Sequence, residues 1–363
     1  KKAAPMKAAF ASSFGAPRSV LSVKETARPA LLPTDKHTLL VRVLACSLSP
    51  SDWRTLSGDG RLIKKPSAFP YTPGGDVCAR VEEVAADAEE DFKVGDLVVG
   101  SWSLFGEGGL AEYYKLDSKM ATKKPDGMSV LDAAAMANSL VHAQQTVEQA
   151  AVKTGDRVLV LGGSGGMGTL LVQLVRSAGA SYVATTSTDV DLMASLGVDK
   201  CVDHTKEQWS ELAEWKASPF DLIIDCAEGV GAWRACCANG LLKPASEGGR
   251  WLCVVLTEWD IYITKWYHIF TFFAPVLGRM LKNKLGRTFS GGRSAPTYMM
   301  HLGGPESSAA IARALDLVSQ GKVKPVVDKR SPHPFTTEGV QEAFELLRNR
   351  QGHGKIVIHV AES

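Results

Sequence analysis

The chain has 363 residues, of which 45% are hydrophobic and 22% are charged, and its net charge at pH 7 is +2. These proportions are typical of a globular protein, and the length predicts two domains that each bury their own core. A net charge so close to zero gives no electrostatic indication of nucleic-acid binding, so we expect no nucleic-acid partner. The seven cysteines contain no Cys-x-x-Cys pair, which argues against a four-cysteine zinc lobe and favours a reducing compartment.

The N-terminus reads KKAAP over residues 1–5, and the first predicted strand starts at Met6. These first residues are either an expression remnant or the part that survives after a basic transit peptide is cleaved off. We therefore expect an organellar protein, in a mitochondrion or chloroplast, with the cytoplasm as the alternative.

Two patterns follow one another along the chain. Residues 6–128 contain short apolar runs between glycine and proline turns, which predicts a β-rich domain. From residue 156 strands and helices alternate, which predicts a doubly wound parallel sheet with helices on both faces. The strands predicted for this sheet are Arg157–Leu161, 182–185, Lys200–Val202, Leu222–Asp225 and 251–256.

The C-terminal tail is too short for a domain of its own. Its predicted elements are helices at 307–320 and Thr337–Arg348, a strand-like 322–328, and a final strand at 355–360. We expect this tail to fold back onto the N-terminal β-rich part.

The most informative motif is the glycine-rich loop after the strand at residue 157, where residues 156–168 read DRVLVLGGSGGMG. One interpretation is the dinucleotide fingerprint G-x-G-x-x-G, in which the glycines allow a tight turn, the approach of a pyrophosphate and close packing of helix on strand. It comprises Gly163, Ser164, Gly165, Gly166, Met167 and Gly168. The other interpretation is a G-x-S-x-G nucleophile elbow with Ser164 as the nucleophile.

The position of the loop favours the dinucleotide interpretation. A hydrolase elbow follows several strands of its own sheet, whereas this loop follows the first alternating strand. A hydrolase would have to recruit Asp225 with His301 or His333, and it is the less favoured alternative.

The strand after the loop bears on the choice of cofactor. It ends in ATTST at residues 184–188, with no acid at its tip. Folds that bind NAD place an acid about 20 residues after the glycines to accept a hydrogen bond from the ribose 2′-hydroxyl. Hydroxyl groups instead donate to a 2′-phosphate, so we expect Thr186 and Ser187 to contact NADPH. NADH is the less favoured cofactor, since Asp189 and Asp191 lie close by.

An ordered set of motifs covers nearly the whole chain. They are MKAAF (6–10), LSPSDWRTLSG (48–58), YTPGGDVCARV (71–81), FKVGDLVVG (92–100), GEGGLAEY (106–113), the glycine loop and GHGKIVIHV (352–360). This set resembles the medium-chain dehydrogenases/reductases, and most of all their zinc-free quinone-oxidoreductase branch, the relatives of zeta-crystallin. The resemblance implies an α/β protein with a GroES-like β-rich catalytic domain (1–128 and 304–363) and a Rossmann domain (129–303), commonly as a homodimer.

The resemblance also bears on metal binding. Zinc-dependent members carry a cysteine three residues before the aspartate of the first motif, where this chain has Ser49 before Asp52. They carry a His-Glu pair after the glycines of the second motif, where this chain has Gly75-Asp76. Catalytic zinc needs three protein ligands and a water molecule, so we expect no zinc or other metal.

Several expected site residues depart from the branch. It usually has Asn at Ser49, Thr at Val141 and Tyr at His204, and we expect Val141 and His204 to lie beside the cofactor. Ser49, Trp53 and Tyr71 are the candidates for lining the catalytic cleft, with a packing role as the alternative for each.

The resemblance implies hydride transfer from NADPH to a quinone or an α,β-unsaturated carbonyl without zinc. The alternative is a weakly active or inactive nucleotide-binding accessory subunit of a larger assembly, which the departures at Ser49 and Val141 keep open.

Residues 259–285 read WDIYITKWYHIFTFFAPVLGRMLKNKL and are rich in aromatic and basic side chains. Pro275 is expected to interrupt the segment, and its apolar run is too short and too charged to cross a bilayer. Three roles are open, in order of preference: packing at the substrate pocket or dimer edge, peripheral membrane contact, and docking to a partner protein.

Overall fold

The computed structural model describes residues 5–63, 65–101, 108–254, 262–289, 295–301, 303–304 and 306–362. The chain divides into two compact units, residues 1–141 with 305–363 and residues 142–304. The strands are β1 (Pro5–Ala11), β2 (Leu21–Ala27), β3 (Thr38–Leu48), β4 (Val77–Val84), β5 (Leu97–Gly100), β6 (Tyr113–Asp117), β7 (Ala121–Lys123), β8 (Arg157–Leu161), β9 (Tyr182–Thr186), β10 (Lys200–Val202), β11 (Leu222–Asp225), β12 (Arg250–Cys253), β13 (Thr297–Met300), β14 (His333–Pro334) and β15 (Ile356–His359).

The helices complete the two units. They are α1 (Pro17–Val20), α2 (Pro50–Ser57), α3 (Val130–Ala150), α4 (Gly168–Ser177), α5 (Val190–Ser195), α6 (Ala213–Ala217), α7 (Val230–Asn239), α8 (Trp266–Phe289), α9 (Ser308–Ser319) and α10 (Thr337–Arg348). The boundary between the units falls inside α3.

The first unit is built around β3, the longest strand of its sheet. The order is β14-β15-β3-β4-β5-β7, with β6 also paired to β3, and β3 runs antiparallel to β4, β6 and β15. One face of the sheet packs on the buried face of α10, and nine of the eleven residues of β3 are buried. Since β15 pairs with β3, the C-terminal tail is part of this unit.

One prediction for the tail is wrong. Within residues 322–328 the structure contains no strand, and Val327 forms only an isolated bridge with Lys355. Pro325 lies in the middle of this apolar run, and without an N–H group it cannot donate to a strand ladder.

The second unit contains the predicted parallel sheet. Its order is β10-β9-β8-β11-β12-β13, and every neighbouring pair is parallel. This is the doubly wound order, and the strand order reverses between β8 and β11, where such folds bind their ligands. The predicted fold class is therefore confirmed for the described residues.

The helix α8 corrects a second prediction. It runs from Trp266 to Phe289 and continues through Pro275, where an interruption was expected. A proline inside a helix removes one N–H donor and leaves the carbonyl four residues earlier without its partner. That carbonyl belongs to Thr271, which is exposed, so water can satisfy it. Residues 259–261 of the aromatic segment lie outside the described residues.

Candidate functional site

The glycine loop between β8 and α4 is shaped by close backbone contacts. A Cβ on Gly163 would lie 2.0 Å from Thr185 Oγ1, and one on Gly168 would lie 2.1 Å from the carbonyl oxygen of Gly162. Gly162 itself adopts a φ of +82°, which disfavours any residue with a side chain. Each of these glycines is therefore required by the fold of the loop.

Gly165 differs from its neighbours because its open side has space. A Cβ there would meet only the Gly162 carbonyl oxygen, at the ordinary contact distance of 3.5 Å. The fold does not need glycine at this position, whereas a phosphate approaching the backbone does. The loop thus fits the pyrophosphate of a dinucleotide, with the backbone N–H groups at the start of α4 as donors.

Thr186 supports the loop from the adjacent strand. Its hydroxyl accepts the N–H of Gly162 at 2.9 Å, and its carbonyl accepts the N–H of Gly163 at 3.0 Å. The Thr186 hydroxyl keeps its own hydrogen for a second partner. Ser187 is also buried, and its hydroxyl accepts the N–H of Asp189 at 2.9 Å.

Asp189, the first acid after the tip of β9, has a structural role. Its carboxylate accepts the N–H of Leu192 at 3.0 Å and so caps the N-terminus of α5. His204, which was expected to lie beside the cofactor, is exposed one residue beyond Asp203. Val141 is buried in α3, within the first unit.

Two of the residues proposed for the hydrolase alternative, Asp225 and His301, are engaged elsewhere. Asp225 is buried and its carboxylate accepts the N–H groups of residues 227, 228 and 229, at 3.0, 2.8 and 2.6 Å. Burial raises the pKa of Asp225 to about 6. Ser164 is buried, and among the described residues no hydrogen bond joins it to Asp225 or His301.

His301 and His142 form a pair at the carboxyl edge of the parallel sheet in the second unit. The sequence did not predict this pair. His301 directly follows β13, and its Nδ1 lies 2.9 Å from Gln149 Oε1. Its Nε2 lies 3.5 Å from His142 Nδ1, and the two rings meet edge to face. Burial, and then the neighbouring His142, lower the pKa of His301 to about 4. His301 is therefore neutral at neutral pH.

In the first unit, Ser49 is held at the start of α2. Its backbone N–H and its hydroxyl both donate to Asp52 Oδ2, at 2.8 and 2.9 Å. The Ser49 hydroxyl also lies 2.7 Å from that of Ser51. The side chain of Ser49 is thus tied to the helix that follows it.

The two aromatic candidates differ in their surroundings. Trp53 is half-buried, and the guanidinium of Arg348 lies over its ring at 5.2 Å, an arrangement typical of packing. Tyr71 is buried, and its hydroxyl has no hydrogen-bond partner among the described residues. Burial and the charge of Asp52 raise the pKa of Tyr71, so its hydroxyl stays protonated. A buried donor without a partner is costly to the fold and is available to a ligand.

A buried polar cluster, which no sequence motif predicts, surrounds Asp76. Asp76 Oδ2 accepts the N–H of Asn138 at 2.9 Å, and the Asn138 side chain donates to Glu306 at 2.7 Å. The buried ammonium of Lys355 donates to Ser139 at 2.9 Å. Burial raises the pKa of Asp76 to about 6, although the charge of Lys355 opposes the shift. Within the described residues, no group of three or more His, Cys, Asp or Glu side chains could hold a metal ion.

Comparison with known proteins places these features in context. Residues 35–126 match the alcohol dehydrogenase GroES-like domain, and residues 196–358 match the zinc-binding dehydrogenase family. The 2-methylene-furan-3-one reductase of Solanum lycopersicum is 31% identical, over 98% of this chain and 79% of that protein.

Two further relatives bear on cofactor and substrate. The chloroplastic NADPH-dependent alkenal/one oxidoreductase of Arabidopsis thaliana is 29% identical, over 88% of this chain and 72% of that protein. The structure of the quinone oxidoreductase from Coxiella burnetii superimposes with a TM-score of 0.76 at 25% identity, over 99% of this chain and all of the other.

Proposed function

The chain belongs to the medium-chain dehydrogenase/reductase superfamily, in its quinone-oxidoreductase-like branch, and we propose that it reduces quinones or α,β-unsaturated carbonyls with NADPH. The names of its relatives identify an oxidoreductase and favour an enzyme over the accessory subunit. The observation that carries the proposal is the glycine loop, where Gly165 leaves space that the fold itself does not need.

The use of NADPH is supported by the tip of β9. Thr186 and Ser187 place hydroxyl groups there, and the nearest carboxylate, that of Asp189, is occupied as the cap of α5. A carboxylate at this tip would repel a 2′-phosphate, whereas a hydroxyl can donate to it. The relative named as NADPH-dependent supports the same choice.

The bound cofactor would supply the hydride, and the protein would supply binding and orientation. The backbone N–H groups after Gly165 would hold the pyrophosphate. Reduction of an enone or quinone develops negative charge on the substrate oxygen, which a positioned donor stabilises. We assign this donor role to the Tyr71 hydroxyl, which is buried, protonated and without a partner among the described residues. Ser49 and Trp53 would line the same cleft.

We also propose that the reaction proceeds without zinc. Ser49 and Gly75 stand where zinc-dependent members have ligands, and the carboxylate of Asp76 is bonded to Asn138 and lies near the charge of Lys355. For its setting we propose a homodimer in a mitochondrion or chloroplast, which the family and the chloroplastic relative support.

A titration tests the function directly. Nicotinamide fluorescence would follow NADPH and NADH binding, and a panel of quinones and enones would then be added as acceptors. We expect tighter binding of NADPH and its oxidation by at least one acceptor. Binding of NADPH without oxidation by any acceptor would overturn the reductase, and equal binding of both nucleotides would overturn the cofactor choice.

The role of Tyr71 has its own test, the Tyr71→Phe variant. Loss of an oxyanion donor typically lowers kcat about 100-fold or more. We expect such a loss in kcat with NADPH affinity unchanged, and no loss of thermal stability, because the hydroxyl has no partner to lose. Tyr114→Phe, in β6 of the same unit, is the matched control. Wild-type kcat in Tyr71→Phe would refute the assignment.

A further inference from the structure

The helix α8 presents an apolar stripe to solvent. Trp266, Phe270, Leu277 and Leu281 retain 71%, 65%, 62% and 57% of their accessible surface. Their spacing of four, seven and four residues places them on one side of the helix, with the half-buried Phe273 between them. Large side chains this exposed and this close together mark a contact surface rather than scattered surface residues.

The opposite side of α8 is fixed to the second unit. Val276 is buried, and Asn283 accepts the N–H of Tyr298 and donates to the Pro296 carbonyl, at 3.1 and 2.8 Å. Arg279 donates to the Tyr298 hydroxyl at 3.4 Å. The helix is therefore held against β13, and the apolar stripe faces away from these contacts.

The stretch of sequence that contains the stripe carries charge of one sign. Residues 261–305 contain no Asp or Glu and six Lys or Arg, in a chain whose net charge is only +2. The six are Lys265, Arg279, Lys282, Lys284, Arg287 and Arg293. Lys265 and Lys284 are exposed at the two ends of the stripe.

The apolar stripe together with its basic charge distinguishes between two partners for this face, a second copy of the chain and an anionic membrane. In a two-fold dimer the same face meets itself, so basic groups of one copy would lie against basic groups of the other. An anionic bilayer has the opposite charge, and aromatic and aliphatic side chains insert at its boundary while lysines reach its headgroups. None of the helices in the described residues is long and apolar enough to span a membrane. We propose that α8 lies flat on an anionic membrane surface, with its apolar stripe at the boundary of headgroups and acyl chains.

Membrane docking of α8 would deepen the proposed function, and this link to catalysis rests on that function. Weakly polar quinones and enones dissolve in bilayers. The enzyme would then meet its acceptor where the acceptor is concentrated. The docking itself requires no catalysis, so it can be tested separately.

Flotation of the full chain provides the test. The vesicles would be pure phosphatidylcholine, or equal parts of phosphatidylcholine and phosphatidylglycerol. We expect the protein to float with the anionic vesicles, at least 10-fold more than with neutral ones, and to be released by high salt.

Two sets of variants separate the apolar and charged contributions. Trp266→Ser/Phe270→Ser/Leu277→Ser and Lys265→Glu/Lys284→Glu should each reduce flotation at least 10-fold. Leu32→Ser/Val94→Ser, which removes exposed apolar side chains from the first unit, should float like the wild type. Circular dichroism would verify that every variant is folded.

Three results would overturn the docking proposal: equal flotation on both vesicles, no flotation on either, or wild-type flotation of the triple variant. A wild-type dimer that the triple variant converts to monomer, without flotation of either, would assign the stripe to a second copy. Failure of the reductase would appear separately, as absence of NADPH oxidation with a water-soluble acceptor. That failure would leave the flotation result standing.

Discussion

Replacing Gly163 with alanine should destabilise the second unit, whereas the same change at Gly165 should not. The added Cβ at Gly163 would lie 2.0 Å from Thr185 Oγ1 and 3.0 Å from Met193 Sδ, all in the buried interior. Thr185 cannot yield freely, since its hydroxyl donates to the Val160 carbonyl at 2.6 Å. The backbone at Gly163 has no positive φ, so the cost arises from this collision alone.

The magnitude follows from two terms. Overpacking a well-packed interior by one methyl group costs about 1–3 kcal/mol. Rotating the Thr185 side chain away leaves a buried hydrogen bond unmade, at a further cost of about 1–3 kcal/mol. We therefore expect Gly163→Ala to lower the free energy of unfolding by about 2–6 kcal/mol. At Gly165 the added Cβ meets only the Gly162 carbonyl at 3.5 Å, so stability should be preserved.

Urea denaturation followed by circular dichroism measures the stabilities, and nicotinamide fluorescence measures NADPH affinity. Gly165→Ala is the matched control for stability, and it should lose at least 10-fold in NADPH affinity, because its Cβ occupies the space left for the pyrophosphate. The double variant Gly163→Ala/Thr185→Ala should recover part of the lost stability. A Gly163→Ala protein within about 0.5 kcal/mol of the wild type would refute the reasoning, since that lies in the range of harmless surface changes.

Two further predictions concern buried titratable groups of the second unit. Because the pKa of His301 is lowered to about 4, the unfolded state takes up a proton between pH 6.5 and pH 4 that the folded state does not. The contribution of His301 to stability should thus be full above pH 6.5 and be lost on acidification. In His301→Gln the thermal midpoint should depend less on pH than in the wild type. A variant with the pH profile of the wild type would contradict this. Asp225→Asn should cost about 2 kcal/mol or more in urea denaturation, because one acceptor oxygen is replaced by a donor facing backbone N–H groups. Asp191→Asn, at an exposed position of α5, is its control, and equal losses would argue against the role of burial.

The elements that the sequence predicted well are those with a local cause. The strands Arg157–Leu161 and Leu222–Asp225 and the helix Thr337–Arg348 agree to the residue, because an apolar run or a helical period is bounded by polar residues. The strand Thr297–Met300 was missed, since four residues carry little periodicity. It is fixed by pairing with β12 and by the contact of Asn283 with the N–H of Tyr298.

The residues of the candidate site likewise separate into those that the sequence predicts and those that it does not. The glycine loop could be identified because the tight turn of its backbone requires glycines at closely spaced positions of the sequence. The pair of His301 with Gln149 joins positions 152 residues apart, and the bond of Lys355 to Ser139 spans 216. Contacts so distant along the chain depend on the folded sheets and leave no local pattern.

The cluster around Asp76 shows how the first unit manages a buried carboxylate at the position of the zinc-dependent members' motif. Removing a charge from water is costly unless an opposite charge and hydrogen bonds accompany it. Lys355 supplies the opposite charge, but Glu306 lies close enough to raise the pKa of Asp76. Burial is the largest influence on this carboxyl, with Glu306 adding to it, which is why the pKa of Asp76 stays near 6 despite the lysine. Asn138 connects the two acids, because its backbone N–H donates to Asp76 and its side chain donates to Glu306.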